Sequence, residues 1–391
     1  MNKDKIYFMP ERNDKKEEPK KKIEGNSSLH SYLPNTINWH RYNLAKTKEK
    51  HMFYRLLYEL CSLIKEPPQI TGRPRARVSD VIFCLGLKLY ANYSGRRISS
   101  DLLHAEGMGY IKKAVHYNTL FDFLSNESMY DWLKRLLEIS ALPLKNLEDQ
   151  FSIDASGFGS YQYERWINVR FKRKPKDKTE DEFEVELGNM KRNYLKGSVL
   201  IGTRTHIICS ADVTYGNIHD SKAVPTLLKA LEEFKPKEVS ADMGYSSYRT
   251  HQLIESLGAT PFIPFQDRHN PKEGVAPEIW IKMHKYFNKN KEDFLKRYHK
   301  RSNVETVFSM IKVKLGEILK CKSFTAQRNE LMMKFICHNI CCLITEIFES
   351  NVHVDFKNYL HKLAEEKDEG KDKTEKDINK LSDKDISFEN L

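Results

Sequence analysis

No stretch of the 391 residues approaches about 18 uninterrupted apolar positions, so no membrane span is expected. The start, Met1-Asn-Lys-Asp-Lys-Ile-Tyr-Phe8, lacks the apolar centre of a secretory signal. Seven cysteines are an odd number, scattered and without a C-x2-C pair, which argues for reduced thiols in a cytoplasm over a disulfide framework. Acidic residues are outnumbered, 54 against 65 Lys and Arg, leaving a net charge of +11. That balance suits a polyanionic partner, although it also serves solubility alone. What is present is enough for real cores: 40% of residues are hydrophobic, and the length allows two or three domains.

Residues 1–36 are polar, rich in Lys and Glu, and read as a disordered leader, as do the charged residues 365–391 at the other end. Helical apolar spacing runs from Trp39 to Ile64 and is broken by Pro67-Pro68, which opens a basic segment ending at Arg77. That segment lies along a DNA backbone or is an ordinary solvated connection. Residues 78–140 read as a helical cluster, with a short helix at 98–105, Gly107-Met-Gly109, and a further helix at 114–124. A short helix, a Gly-containing turn and a second helix is compatible with a helix-turn-helix, in which His116, Tyr117 and Asn118 open the recognition helix. A plain helical bundle fits the same pattern. Together these mark a helical region at 37–145 as the candidate for DNA binding.

From Leu147 the periodicity changes. Strands are expected at 150–154, 163–171, 197–203, 206–213, 237–241 and 260–264, and helices at 220–234, 246–257 and 300–318. This order implies an α/β unit, a mixed central sheet with helices on its faces, over 146–350. Lys172–Glu186 is a charge run, read as a loop whose first lysines are candidates for touching DNA. Leu331–Phe348 contains Cys337, His338, Cys341 and Cys342; its other residues are so apolar that a core helix is expected instead of a zinc site.

Three acids stand out. Asp154, in Gln150-Phe-Ser-Ile-Asp-Ala-Ser-Gly-Phe158, reads as closing a short strand before a small-residue turn. Asp242, in Val239-Ser-Ala-Asp-Met-Gly-Tyr-Ser-Ser247, ends another brief strand before a Gly turn and a helix. Glu305 shares a single helix with Tyr298, Arg301 and Lys312; at about 100° per residue the four fall within roughly a 60° arc. Val304, Val307, Phe308, Ile311 and Leu315 form the neighbouring apolar arc. Singly, a strand-end Asp is often a helix cap and such a stripe is often a surface salt-bridge ladder. Jointly, two strand-end Asp residues and a helical Glu are what a two-metal phosphoryl-transfer site requires, with its ions about 3.5–4 Å apart. Asp212 and Asp220 compete for the second position, and Asn217, His219 and Asp220 either line the site or close a turn.

At this point the chain resembles the DDE transposases of prokaryotic insertion sequences. Asp154, Asp242 and Glu305 match the DDE triad, and Tyr298-x2-Arg301-x3-Glu305-x6-Lys312 matches the Y-R-E-K pattern of one cut-and-paste subgroup at every spacing. Asp154-Ala-Ser-Gly157, Gly216-Asn-Ile-His-Asp220 and Ala241-Asp-Met-Gly-Tyr245 support it, over about residues 150–345. The resemblance implies a ribonuclease-H-like catalytic domain preceded by the all-helical DNA-binding region. It implies two Mg²⁺ ions, with Mn²⁺ able to substitute, bridged by Asp154, with Asp242 and Glu305 completing one coordination sphere each. Tyr298, Arg301 and Lys312 are then expected to grip phosphates. Double-stranded DNA is the implied partner, as terminal inverted repeats and as target, with a homodimer forming in the DNA complex at the nucleoid. Related enzymes often carry an insertion, here about 266–297, that stacks on a displaced base. Trp280 takes that role or packs with Ile279 and Tyr286. The rivals are a ribonuclease-H-like nuclease that never joins ends, and a domesticated protein that only binds DNA.

Overall fold

The computed structural model describes residues 38–69, 71–72, 74–160, 194–266 and 274–359. The leader, the strand expected at 163–171, the Lys172–Glu186 run and the charged tail lie outside the described residues.

Between Trp39 and Ala141 the elements are helices: α1 (Trp39–Cys61), α2 (Val78–Tyr90), α3 (Ser99–Gly107), α4 (Tyr117–Leu124) and α5 (Met129–Ala141). α1 buries one stripe, Phe53, Leu56, Leu57 and Leu60, whereas α2 is apolar on nearly every side and is buried from Val78 to Leu89. α3 and α4 are joined by Met108–His116, a connection longer than the roughly 3–4-residue turn of a helix-turn-helix. The connection is part of the core. Tyr110 stacks on Phe83 at 5.7 Å, and Asp80 and Glu106 accept the amides of Lys112 and Ala114.

The sheet has the order β3-β2-β1-β4-β5, from β1 (Gln150–Gly159), β2 (Tyr194–Gly202), β3 (Ile208–Tyr215), β4 (Glu238–Ala241) and β5 (Thr260–Phe262). The first three pair antiparallel and β1-β4-β5 pair parallel, so the sheet is mixed as expected. This architecture is consistent with a ribonuclease-H-like DDE domain.

Two expectations are corrected here. The small residues after Asp154 do not turn: β1 continues to Gly159 because β2 pairs with it throughout, Ala155 against Ser198 and Gly157 against Lys196. Tyr194 lies over Gly157 so closely that a Cβ there would come within 2.9 Å of its ring. The helix expected at 220–234 is three short pieces, a 3-10 turn (Asp220–Lys222), α6 (Val224–Leu228) and a second 3-10 segment (Lys229–Glu233). Pro225 sits in the first turn of α6, where its missing N–H and ring bar an α-helix from running through.

The remaining helices are α7 (Tyr248–Ser256), α8 (Glu278–Lys289), α9 (Lys291–Tyr298), α10 (Ser302–Leu315) and α11 (Phe324–Glu349). α11 is long and apolar enough to cross a membrane by length and composition, yet 72% of that window is buried within the protein. It touches α1, α2, α4, α5, α10, β2 and β3, and so joins the helices before the sheet to the sheet itself in one hydrophobic core. Two buried side-chain amides on it are tied to distant backbone. Asn339 bonds both the amide and the carbonyl of Ile208, and Asn329 bonds the carbonyls of Leu124 and Asn126. Cys337, Cys341 and Cys342 are buried in the same helix, and the His338 ring meets the His206 carbonyl at 2.9 Å.

Candidate active site

Parallel pairing of β1 with β4 ends at Ile153 opposite Ala241. The next residue after each of these is an aspartate, so Asp154, still within β1, and Asp242, just past the end of β4, stand side by side, with strands spaced about 4.8 Å apart. Asp154 is half-buried, its Oδ1 accepting the Ala155 amide at 2.8 Å. Asp242 is exposed at the start of a 3-10 turn, Met243–Tyr245.

The third acid comes from the helical stretch after β5, which is not the single helix the sequence suggests. α9 ends at Tyr298, a 3-10 turn covers His299–Arg301, and α10 begins at Ser302. Tightening at this junction follows from two anchors on the sheet: Arg297 pairs with Glu238 of β4 at 2.6 Å, and Lys300 with Gln150 of β1 at 2.7 Å. The expected apolar arc of α10 is buried residue for residue, and Gly316, at φ 85°, ends the helix.

That placement brings the stripe onto the acids. Arg301 spans two of them, Nη1 2.7 Å from Asp154 Oδ2 and Nη2 2.7 Å from Glu305 Oε1. The Tyr298 hydroxyl stands 3.5 Å from Asp242 Oδ1, with the Arg301 guanidinium 5.8 Å from its ring. Burial pushes the Asp154 carboxyl above its ordinary value. The Ala155 amide and Arg301 oppose that rise, and the charges of Asp242 and Glu305 add to it. Lys312 stands apart from the acids, 3.4 Å from Glu317 and 5.3 Å from the centre of the Phe158 ring.

Tyr245 is a site residue that its motif alone did not single out. It is 2% exposed, and its hydroxyl has no hydrogen-bond partner among the described residues. Burial raises its pKa, with Asp220, Asp154 and Asp242 adding to the effect. The Asp220–Lys222 turn packs against Met243–Tyr245, and Asp220 itself is tied to Lys196 at 2.6 Å. His219 caps that turn by accepting the Ser221 amide.

Trp280 is not on this surface. It is 4% exposed and meets Tyr248, His251 and Phe265 edge-on at 4.6–4.8 Å, in a second small core that also packs against Tyr298. His116 and Asn118 are exposed at the start of α4, far along the chain, with the His116 ring accepting the Asn118 amide.

Among the described residues no three His, Cys, Asp or Glu side chains stand at metal-ligand spacing. The chemistry of the set nevertheless fits a divalent cation. Three carboxylates stand near one another, their mutual repulsion is partly offset by a guanidinium held between two of them, and a buried hydroxyl beside them has no hydrogen-bond partner among the described residues.

A family model, Transposase DDE domain, matches residues 145–340, half of the chain, and encloses all three acids. No curated protein and no solved structure matches the chain. The chain therefore belongs to the transposase DDE domain family, a family of DNA-cleaving and strand-transferring enzymes that generally use divalent metal ions.

Proposed function

We propose that this protein is the transposase of a prokaryotic insertion sequence, binding its terminal inverted repeats, cleaving the ends and joining them to target DNA. The observation that carries this reading is the meeting of Asp154, Asp242 and Glu305 around Arg301 from three distant parts of the chain. Asp154, Asp242 and Glu305 are the residues to hold two Mg²⁺ ions, or Mn²⁺ in their place. Bound there, the ions would activate the attacking oxygen and stabilise the leaving oxygen of a phosphodiester. The protein's own groups do the rest. Arg301 offers a planar fork for a phosphate, Tyr298 a hydroxyl beside Asp242, and Lys312 a point charge further along α10.

The helical region at 37–145 is assigned to end recognition, with His116 and Asn118 at the exposed start of α4 reading base edges. A homodimer pairing two DNA ends completes the proposal. Pre-cleaved terminal-repeat duplex, a plasmid target and Mg²⁺ test it directly: joined products are expected. Nicked plasmid without joined product would make this a nuclease, and binding without either would make it a non-catalytic DNA-binding protein.

A further inference from the structure

Arg301 has two uses that compete. Its Nη1 and Nη2 each donate to a carboxylate, Asp154 and Glu305, both at 2.7 Å, and its side chain is only 18% exposed. A fork that bridges two acids has one N–H of each terminal nitrogen taken and little surface left, so a two-point contact with a phosphate competes with the acids for it. The bridge is also well supported. The 3-10 turn that carries Arg301 is anchored by Arg297 on Glu238 and by Lys300 on Gln150, and Tyr298 beside it reaches Asp242.

Resting on the metal-dependent reading above, we propose that Arg301 is a positioning residue with alternating partners. In the free protein it holds Asp154 and Glu305 together as their counter-charge. When a divalent cation takes those carboxylate oxygens, the side chain is released and its fork takes a DNA phosphate. The two exchanges reinforce each other. A cation that displaces Arg301 makes it available to DNA, and a phosphate that draws Arg301 away opens the oxygens to the cation. Binding linkage is reciprocal, so each ligand raises the affinity for the other by the same factor. The device offsets part of the charge of Asp154 and Glu305 and keeps the two aligned without committing them to an ion before DNA arrives.

Mn²⁺ binding, followed through the electron-paramagnetic-resonance signal of free aqueous Mn²⁺, tests this without any turnover. The full-length protein is titrated as wild type, Arg301→Met and Arg301→Lys, each with and without a DNA duplex carrying the element's end. Asp154→Asn in each background identifies the site, and Arg301→Met keeps most of the apolar stem so that packing around Tyr298 survives. Wild type is expected to bind Mn²⁺ weakly alone and about tenfold more tightly with duplex. Arg301→Met is expected to bind about tenfold more tightly than wild type without DNA, and to gain little when duplex is added. Arg301→Lys should fall between them, because one ammonium does not span both carboxylates. Asp154-dependent binding that is no tighter in Arg301→Met than in wild type overturns the alternating role and leaves the transposase reading intact. Absence of Asp154-dependent binding in every variant overturns both.

Discussion

Tyr130 donates its hydroxyl to Asp212 Oδ1 at 2.9 Å and accepts the Val213 amide at 3.2 Å, fastening α5 to β3. Arg328 lies 4.1 Å from the centre of the same ring. Asp212 is thus committed to the framework, whereas Asp242 stands beside Asp154. Asp212→Asn is expected to lower stability by about 1–2 kcal/mol, the scale of one weakened charge-assisted hydrogen bond, with cleavage retained. Asp154→Asn, Asp242→Asn and Glu305→Gln should each abolish Mg²⁺-dependent cleavage while DNA binding changes little, because affinity comes mostly from phosphate contacts. Urea denaturation beside cleavage of a labelled terminal-repeat duplex measures both, and normal cleavage by any of the last three removes that residue from the site.

Trp280 supplies a large share of the small core under Tyr248 and Phe265. Trp280→Ala should therefore destabilise the protein by about 3–5 kcal/mol, the usual cost of truncating a buried aromatic. Trp280→Phe should recover most of that loss. A stable Trp280→Ala variant with an altered response to unpaired bases near the cleavage site would place the indole at the DNA instead.

Two buried histidines set an acid limit on stability. Burial lowers the pKa of His251 to about 4 and that of His338 to about 4, from ordinary values near 6.5. Each native ring binds fewer protons than its unfolded counterpart between those values. Their contribution is thus complete above pH ~6.5, falls as pH drops, and levels off below pH ~4, with up to about 3 kcal/mol at stake per ring. Melting temperature followed across that window is expected to fall toward acid. His251→Phe should flatten its share of the slope, and an unchanged slope in that variant would show that His251 does not titrate in the window.

At the start of α4, His116→Ala with Asn118→Ala should weaken binding to the element's end by about 1–3 kcal/mol for each base these side chains read, at fixed salt. Binding to unrelated duplex should stay nearly constant, since these two side chains are assigned to base edges and not to phosphates. Equal weakening on both duplexes would remove these residues from sequence recognition.

Elements around the site were legible locally. Val304, Val307, Phe308, Ile311 and Leu315 follow helical spacing and are all buried, and the strands bearing Asp154 and Asp242 have apolar residues ahead of each acid. Four residues in register on one stretch, together with two acid motifs, sufficed to name the family. Other features depended on partners distant in sequence. β1 runs past Asp154 because β2 pairs with Ala155–Gly159, a pairing with no trace in the small residues themselves. Asp154 and Asp242 are neighbours because Ile153 pairs with Ala241. Arg301 turns inward because Arg297 and Lys300 fasten its turn to two strands. Periodicity reports which face of an element is apolar, and spacing reports which residues share a face. Neither reports what that face meets, which is why the acid motifs and the apolar arc of α10 were readable from the chain, while the break in the helix at His299–Arg301, the Arg301 bridge, the place of Lys312 apart from the acids, the enclosed Trp280 and the committed Asp212 were decided only by packing.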